Sequence, residues 1–248
     1  MNILSIENIS KTYCGKVSFK ALDKVSINIE KGEFVAVMGP SGSGKSTLLN
    51  IISTVDKQSE GKVILDGYDI SKLEGEKLAE FRRKQLGFVF QDFNLIDILT
   101  VGENIMLPLT LDGTSIKDMN RQTRNIAEFL GIDKLLDRRT YEISGGQAQR
   151  CAIARAIINR PSLLLADEPT GNLDSKSTDD VLRLFNKINK EQNVTTLMVT
   201  HEAYSAGYSD RVIFIKDGCI YTEIKKSGSS NSFYDEILSV LSKIGGAR

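Results

Sequence analysis

The sequence predicts an α/β protein: a mostly parallel sheet with both faces covered, interrupted by a helical lobe. Three observations carry this. Short strand-like runs at Phe34–Met38, Leu86–Phe90, Leu163–Ala166, Thr195–Val199 and Val212–Ile215 recur along the chain. Several are separated by helix-like stretches, and strands separated by helices pair in parallel. Phe34-Val35-Ala36-Val37-Met38 is continuously apolar, as a strand covered on both faces requires. From about Asp92 to Asn159 the strand pattern stops and helical periodicity takes over.

Taken in order, Ile3–Ile9 and Val25–Ile29 read as strands, and Lys31-Gly32-Glu33 is a turn into Phe34–Met38. A glycine-rich loop leads to a helix over Lys45–Val55. Lys62–Leu65 is a strand, Ser71–Lys84 a helix and Leu86–Phe90 a buried strand. In the lobe, Ser115-Ile116-Lys117-Asp118 resembles a capping box. Ile116, Met119, Ile126 and Leu130 then share one helical face, and Gly131 is a stop. Gln147–Asn159 is a helix that ends before Pro161, and Ser175–Gln192 is another. Lys225–Asn231, rich in Ser and Gly, reads as a linker before a short helix at Ser232–Ile244. The expected organisation is one domain over 1–224, with a core at about 1–91 and 160–224 and a helical subdomain at about 92–159, followed by a tail over 225–248.

The 248 residues carry 32 Lys+Arg against 32 Asp+Glu, and 41% are hydrophobic, the make-up of a globular domain. Zero net charge argues against nucleic acid as a partner, because phosphate backbones demand a basic excess. The short runs Arg82-Arg83-Lys84 and Arg138-Arg139 read as solvated faces. No apolar run exceeds five residues, whereas a membrane span needs about 20. The first residues, Met1-Asn2-Ile3-Leu4-Ser5-Ile6-Glu7, carry no secretory-signal pattern. Cys14, Cys151 and Cys219 are scattered, without metal-ligand spacing, and suggest reduced thiols. His201 is the one histidine, so any histidine chemistry falls to it.

Gly39-Pro40-Ser41-Gly42-Ser43-Gly44-Lys45-Ser46 fits G-x-x-x-x-G-K-[ST], the P-loop, between a buried strand and a helix as that motif requires. Its glycines let consecutive backbone N–H groups face phosphate oxygens, and the helix N-terminus adds partial positive charge. Lys45 is suited to neutralising β- and γ-phosphates, Ser46 to a Mg²⁺ ion, and Thr47 to a further phosphate contact. The alternative is an ordinary glycine-rich turn. Leu163-Leu164-Leu165-Ala166-Asp167-Glu168 is an apolar strand ending in two carboxylates. Asp167 is the expected Mg²⁺ partner, directly or through water, and Glu168 is placed to polarise an attacking water. The alternative there is an exposed acidic turn before Pro169. Ser144-Gly145-Gly146-Gln147 opens a second anion-ready helix N-terminus. One nucleotide does not need two such sites in one chain, so the second is expected to complete a site on another copy; a plain N-cap is the alternative.

These motifs, with Asn172-Leu173-Asp174 and His201, stand in the order found in ATP-binding cassette (ABC) ATPases, and the resemblance covers roughly residues 2–224. It implies a P-loop NTPase (RecA-like) core with an antiparallel β edge and an inserted α-helical subdomain. It implies a head-to-tail homodimer in which ATP lies between the P-loop of one copy and Ser144–Gln147 of the other, with Mg²⁺ as cofactor. By the same likeness Gln91 matches the Q-loop glutamine that touches Mg²⁺ or water, and Asp174 the D-loop aspartate at the dimer interface. His201 matches the switch histidine on the γ-phosphate. Tyr13 matches the aromatic that stacks on adenine, with a packing tyrosine as the alternative. The chain departs from the family at Ile143, where Leu is commoner, at Ala148 and at Cys151. None of these removes a catalytic group, so two competent sites are expected.

Phe90–Ile96, Leu99–Ile105 and Glu168–Asp174 resemble the group that holds lipoprotein-release, macrolide-export and cell-division cassettes. Ile51–Asp56, Leu78–Arg82 and Arg211–Gly218 are similar to bacitracin-type (BceA-like) cassettes of Gram-positive bacteria. That likeness implies an ATPase at the cytoplasmic face of the membrane, held there by a BceB-like permease, with a sensor histidine kinase as a further partner, serving peptide-antibiotic resistance. An alternative with the same chemistry is a signalling module that moves no substrate. Soluble DNA-repair and translation ATPases of this family need coiled-coil or zinc insertions, or two cassettes per chain, and this chain has neither.

Overall fold

The computed structural model describes residues 1–15, 17–228 and 230–245. Among the described residues, ten strands form two sheets. β1 (Asn2–Tyr13), β2 (Phe19–Glu30), β4 (Glu60–Leu65) and β5 (Tyr68–Asp69) make an antiparallel sheet in the order β2-β1-β4-β5. The second sheet runs β10 (Cys219–Lys225), β9 (Arg211–Lys216), β3 (Phe34–Met38), β8 (Thr195–Val199), β7 (Leu163–Asp167), β6 (Leu86–Val89). All of its pairs are parallel except β10 with β9.

The continuous apolar runs are explained by two cores. In β3, Phe34, Ala36 and Met38 enter one core, while Val35 and Val37 enter the other. β7 divides likewise, with Leu164 and Ala166 on one side and Leu163 and Leu165 on the other. Successive side chains point to opposite faces, so a strand covered on both sides has no polar position. One face carries α1 (Lys45–Ile52) and the antiparallel sheet; the other carries α3 (Val101–Leu111), α4 (Ile116–Leu130), α5 (Gly145–Ile157) and α6 (Ser175–Gln192). Burial pushes the Cys151 thiol up to about 12, so it stays protonated and acts as a small apolar side chain. The three cysteines are free, and no helix among the described residues is long and apolar enough to cross a membrane.

Several expectations change. α1 stops at Ile52, and the helix expected over Ser71–Lys84 is a short 3₁₀ turn, Ile70–Lys72, followed by α2 (Gly75–Gln85). Residues 92–100, inside the predicted helical region, are loop. Ile116 is exposed; α4 buries Thr123, Ala127 and Leu130, with Met119 and Ile126 only partly covered. Ile116 is the first residue of the helix, beyond the reach of its partner surface. The linker is also shorter than expected: after the single-turn α7 (Ala203–Ala206), β10 runs through Lys225, and α8 (Ser230–Gly245) begins at Ser230. Residues 229 and 246–248 lie outside the described residues. α8 inserts Phe233, Ile237 and Ile244 into the same core as the sheet.

Arg211 staples the two sheets. Its guanidinium donates to both Glu33 oxygens (2.8 and 3.2 Å), to Glu223 (2.6 Å) and to the Asn28 carbonyl (2.6 Å). Arg211→Met leaves Glu33 without its cationic partner, holding only the Glu30 N–H (2.9 Å), and should lower the unfolding free energy by about 3 kcal/mol. A urea titration reads this as a lower midpoint; an unchanged midpoint would contradict it.

Candidate active site

The strand ends gather the first group of residues. β3, β8 and β7 are adjacent and parallel, so the loops that follow them leave the same edge, where open α/β sheets bind ligands. Backbone bonds lock these loops together: Thr200 N donates to Val37 O (3.2 Å) and Glu168 N to Val199 O (2.9 Å).

Gly39-Pro40-Ser41-Gly42-Ser43-Gly44 turns from β3 into α1, with Ser43 N donating to Pro40 O at 3.2 Å. Gly44 has φ 104°, and a Cβ there would lie 2.5 Å from Ala21 O, so no other residue fits without strain. Lys45 is buried at the first position of α1, and its ammonium donates to Gly39 O and Pro40 O, both at 2.9 Å. Two of its three protons are thus used within the loop and one remains. Ser43 Oγ is buried and has no partner among the described residues. Ser46 is exposed and Thr47 half-buried in the first turn of α1.

Asp167 ends β7. Burial raises its carboxyl above the ordinary range, the neighbouring Glu168 adds to this, and Lys45 opposes it. Lys45 is lowered, first by burial, against the pull of Glu168 and Asp167. Glu168 adopts the left-handed region, φ 46°, a conformation that costs energy and clusters at functional sites. His201 Nδ1 lies 3.1 Å from Glu168 Oε1. The fold therefore brings Lys45, Asp167, Glu168 and His201 into one cluster of ionisable side chains.

Gln91 follows β6, and its side chain faces the 171–174 loop: Nε2 donates to Asn172 Oδ1 at 3.3 Å. Tyr13 ends β1 with its ring half-exposed; its hydroxyl donates to Asp56 (2.8 Å), and Lys11 Nζ stands 4.8 Å from the ring centroid. Ser144 caps α5 in a capping box, its N–H donating to Gln147 Oε1 (2.9 Å). Gly145 lies against Leu173 and Phe93, and Gly146 against Ser177. Asp174 caps α6, accepting from Lys176 N and Ser177 N (3.0 Å each). The Ser177 backbone bond leads the causes that hold its carboxyl below the usual range. Ser144, Gly146 and Gln147 line a cavity of about 250 Å³ with Arg150, Ser177 and Asp180. Among the described residues, no hydrogen bond or ion pair joins 144–147 to the P-loop.

Two residues escaped the sequence reading. Gln149 is fully buried in α5 and donates to Phe90 O (3.5 Å) and Pro169 O, the backbone just before Gln91 and just after Glu168. Arg155, further along α5, donates to Phe93 O (2.9 Å) and Asn94 O (2.6 Å). Phe93 and Asn94 are consecutive left-handed residues, φ 59° and 48°, so Arg155 holds a strained turn beside Gln91. The available signal was polar residues on an otherwise apolar helix face.

The donors suited to Mg²⁺ are one hydroxyl (Ser46), one amide (Gln91) and one carboxylate (Asp167), all hard oxygen ligands. No group of three His, Cys, Asp or Glu able to hold a metal occurs among the described residues. An ion here would share its shell with phosphate and water, as Mg²⁺ does, and would relieve the unfavourable burial of Asp167. The set fits.

Residues 22–171 match the family described as ABC transporter. The ABC transporter ATP-binding protein YxdL of Bacillus subtilis is 58% identical over 99% of this chain and 95% of its own length. This chain belongs to the ABC transporter family. It is an ATP-binding subunit and an ATPase. The bacitracin export ATP-binding protein BceA of Halalkalibacterium halodurans is 46% identical over 100% of this chain and 99% of its own. A dimeric post-hydrolysis structure of the cassette MJ0796 of Methanocaldococcus jannaschii, bound to ADP and Pi, superposes with TM-score 0.82 at 41% identity, covering 91% of this chain and all of that one.

Because the folded state raises the Asp167 pKa, it binds that proton more readily than the unfolded chain does. Stability therefore falls as pH rises through the window just above the ordinary value of 3.8. Asp167→Asn removes the cost: its thermal midpoint relative to wild type should rise between about pH 3 and about pH 7. A variant that loses ground over that range would contradict the desolvation account.

Proposed function

We propose that two copies of this chain close head to tail on two Mg·ATP, and that hydrolysis reopens them to drive a membrane permease. One observation carries the reading: the chain has anion-ready helix N-termini at Lys45 and at Gly145, and among the described residues no hydrogen bond joins their loops. A triphosphate joins them most economically between copies, and the MJ0796 structures are dimeric.

In this reading Gly39–Gly44 backbone groups, Lys45, Ser46 and Thr47 hold the phosphates, and Tyr13 stacks on adenine. Ser144, Gly145, Gly146 and Gln147 of the second copy cap the γ-phosphate, and Asp174 lies at the dimer contact. Ser46, Gln91 and Asp167 would hold Mg²⁺, which supplies charge neutralisation at the β- and γ-oxygens. Glu168 accepts the proton of the attacking water and aims its oxygen at the γ-phosphorus as the bridging P–O bond breaks. His201, beside Glu168, contacts the γ-phosphate, and Lys45 stabilises the charge on the leaving oxygen.

The permease contact falls at the groove of about 250 Å³ beside the 91–100 loop, lined by Phe93, Leu95, Tyr141 and Ile143. Ile98 and Tyr141 are largely exposed next to it, as a surface awaiting a partner would be. The peptide-antibiotic assignment, with its BceB-like permease at the cytoplasmic face of the membrane, rests on the relative named for bacitracin export.

Glu168→Gln should retain ATP binding and lower turnover by about 10²–10⁴-fold. The variant should accumulate as an ATP-bound dimer in size-exclusion chromatography. Wild-type turnover would refute the role of Glu168, and a monomer at saturating ATP would refute the closed dimer.

A further inference from the structure

We propose that Asn172, itself oriented by the Asp92 carboxylate, is a positioning residue that decides which end of the Gln91 amide faces the metal. The inference rests on the reading of Gln91 as a contact for Mg²⁺ or its water.

The two ends of an amide are told apart by their partners. An ionised carboxylate only accepts, and so does a carbonyl. Asn172 Nδ2 lies 2.7 Å from Asp92 Oδ1 and 3.3 Å from the Gln91 carbonyl. Two acceptors fix that end as the nitrogen. Asn172 Oδ1 is then the atom that faces Gln91, and it accepts from Gln91 Nε2 at 3.3 Å. The relay runs from carboxylate to amide to amide, and each link has one allowed polarity. At its end Gln91 Oε1 takes no hydrogen bond from any described residue, which leaves it for a cation or a water. A flipped Gln91 would present N–H groups to the metal and lose its oxygen ligand.

The surroundings support this. A Cβ on Gly171 would lie 2.9 Å from Gln91 Nε2 and 3.0 Å from its Cδ, so glycine is what lets the amide lie flat across the loop. The backbone on either side is held separately, by Gln149 at Phe90 and by Arg155 at Phe93 and Asn94. With the main chain fixed, the polarity of the amide is the remaining freedom, and Asn172 removes it.

The test uses the full chain and two readouts. One is the Mg²⁺ concentration for half-maximal ATP hydrolysis, read beside the KM for ATP at saturating Mg²⁺. The other is the Mg²⁺-dependence of ATP affinity by titration calorimetry in a Glu168→Gln background, where no turnover is needed. Asn172→Ala should raise the Mg²⁺ requirement about tenfold in both, leaving the KM at saturating Mg²⁺ unchanged. Asn172→Asp should do the same, because its second oxygen faces both the Asp92 carboxylate and the Gln91 carbonyl, and that repulsion drives the side chain away from Gln91 Nε2. Asp92→Asn/Asn172→Asp should restore most of the wild-type requirement: the new amide donates to the new carboxylate and holds it in the loop, where it still accepts from Gln91 Nε2, and only the weaker bond to the Gln91 carbonyl is lost. Loop packing alone would not be rescued by this exchange. A double variant no better than Asn172→Asp overturns the relay. So does Asn172→Ala with wild-type Mg²⁺ dependence while Gln91→Ala is shifted. If Gln91→Ala shifts nothing, the metal role of Gln91 falls first and the relay with it.

Discussion

Charges that the fold takes out of water at one edge of a sheet govern this molecule. Lys45 and Asp167 are both disfavoured by burial in their charged forms. Their mutual attraction does not cancel the cost: Lys45 spends two of its three protons on Gly39 and Pro40, and Asp167 stands beside the like charge of Glu168. Buried charge is tolerated where function needs it. In the proposed function a nucleotide phosphate would satisfy the cation and the N-terminus of α1, and a divalent ion would satisfy the carboxylate. The architecture serves this placement: two cores cover β3 and β7 on both faces, so the loops at their ends are rigidly based.

A second constraint runs through α5. Its N-terminus carries Ser144 and Gly145, while its body carries Gln149 and Arg155, which grip the backbone around Gln91 and after Glu168. One rigid helix thus connects the segment read as the dimer contact to the segments read as the metal contact and the catalytic carboxylate. The 91–100 loop also lines the groove assigned to the permease. Nucleotide, second copy and membrane partner would act on one mechanical unit. Asn172 extends it to the loop that ends at Asp174.

Much of this was legible in the sequence because the signals are local. The P-loop is a contiguous octapeptide, and its flanking strand and helix are read from periodicity. The strands of the parallel sheet are apolar throughout because both faces are covered, and β3, β7, β8 and β9 stand where the pattern put them. What stayed hidden depends on distant contacts. β10 is the exception, missed although its signals are local: it follows β9 across the two-residue Asp217-Gly218 turn and alternates in exposure. Ile116 satisfied the helical period but occupies the helix end. The hydrogen bonds of Asn172 to Gln91 and Asp92 span about 80 residues of chain, and no spacing rule reports them. Tyr13 was legible through the family likeness as the aromatic that stacks on adenine, but not its tie to Asp56.

The central claim is that each reaction centre is assembled from two chains, and mixing tests it directly. One variant carries Lys45→Ala and the other Ser144→Arg, so each alone forms dimers with no intact site. In a mixed head-to-tail dimer both lesions fall on one site, and the other is made of an unaltered P-loop and an unaltered 144–147 segment. The account predicts that each variant alone is inactive and that mixing them restores ATP hydrolysis. Two inactive variants that stay inactive when mixed, or Ser144→Arg hydrolysing ATP at the wild-type rate by itself, would contradict it.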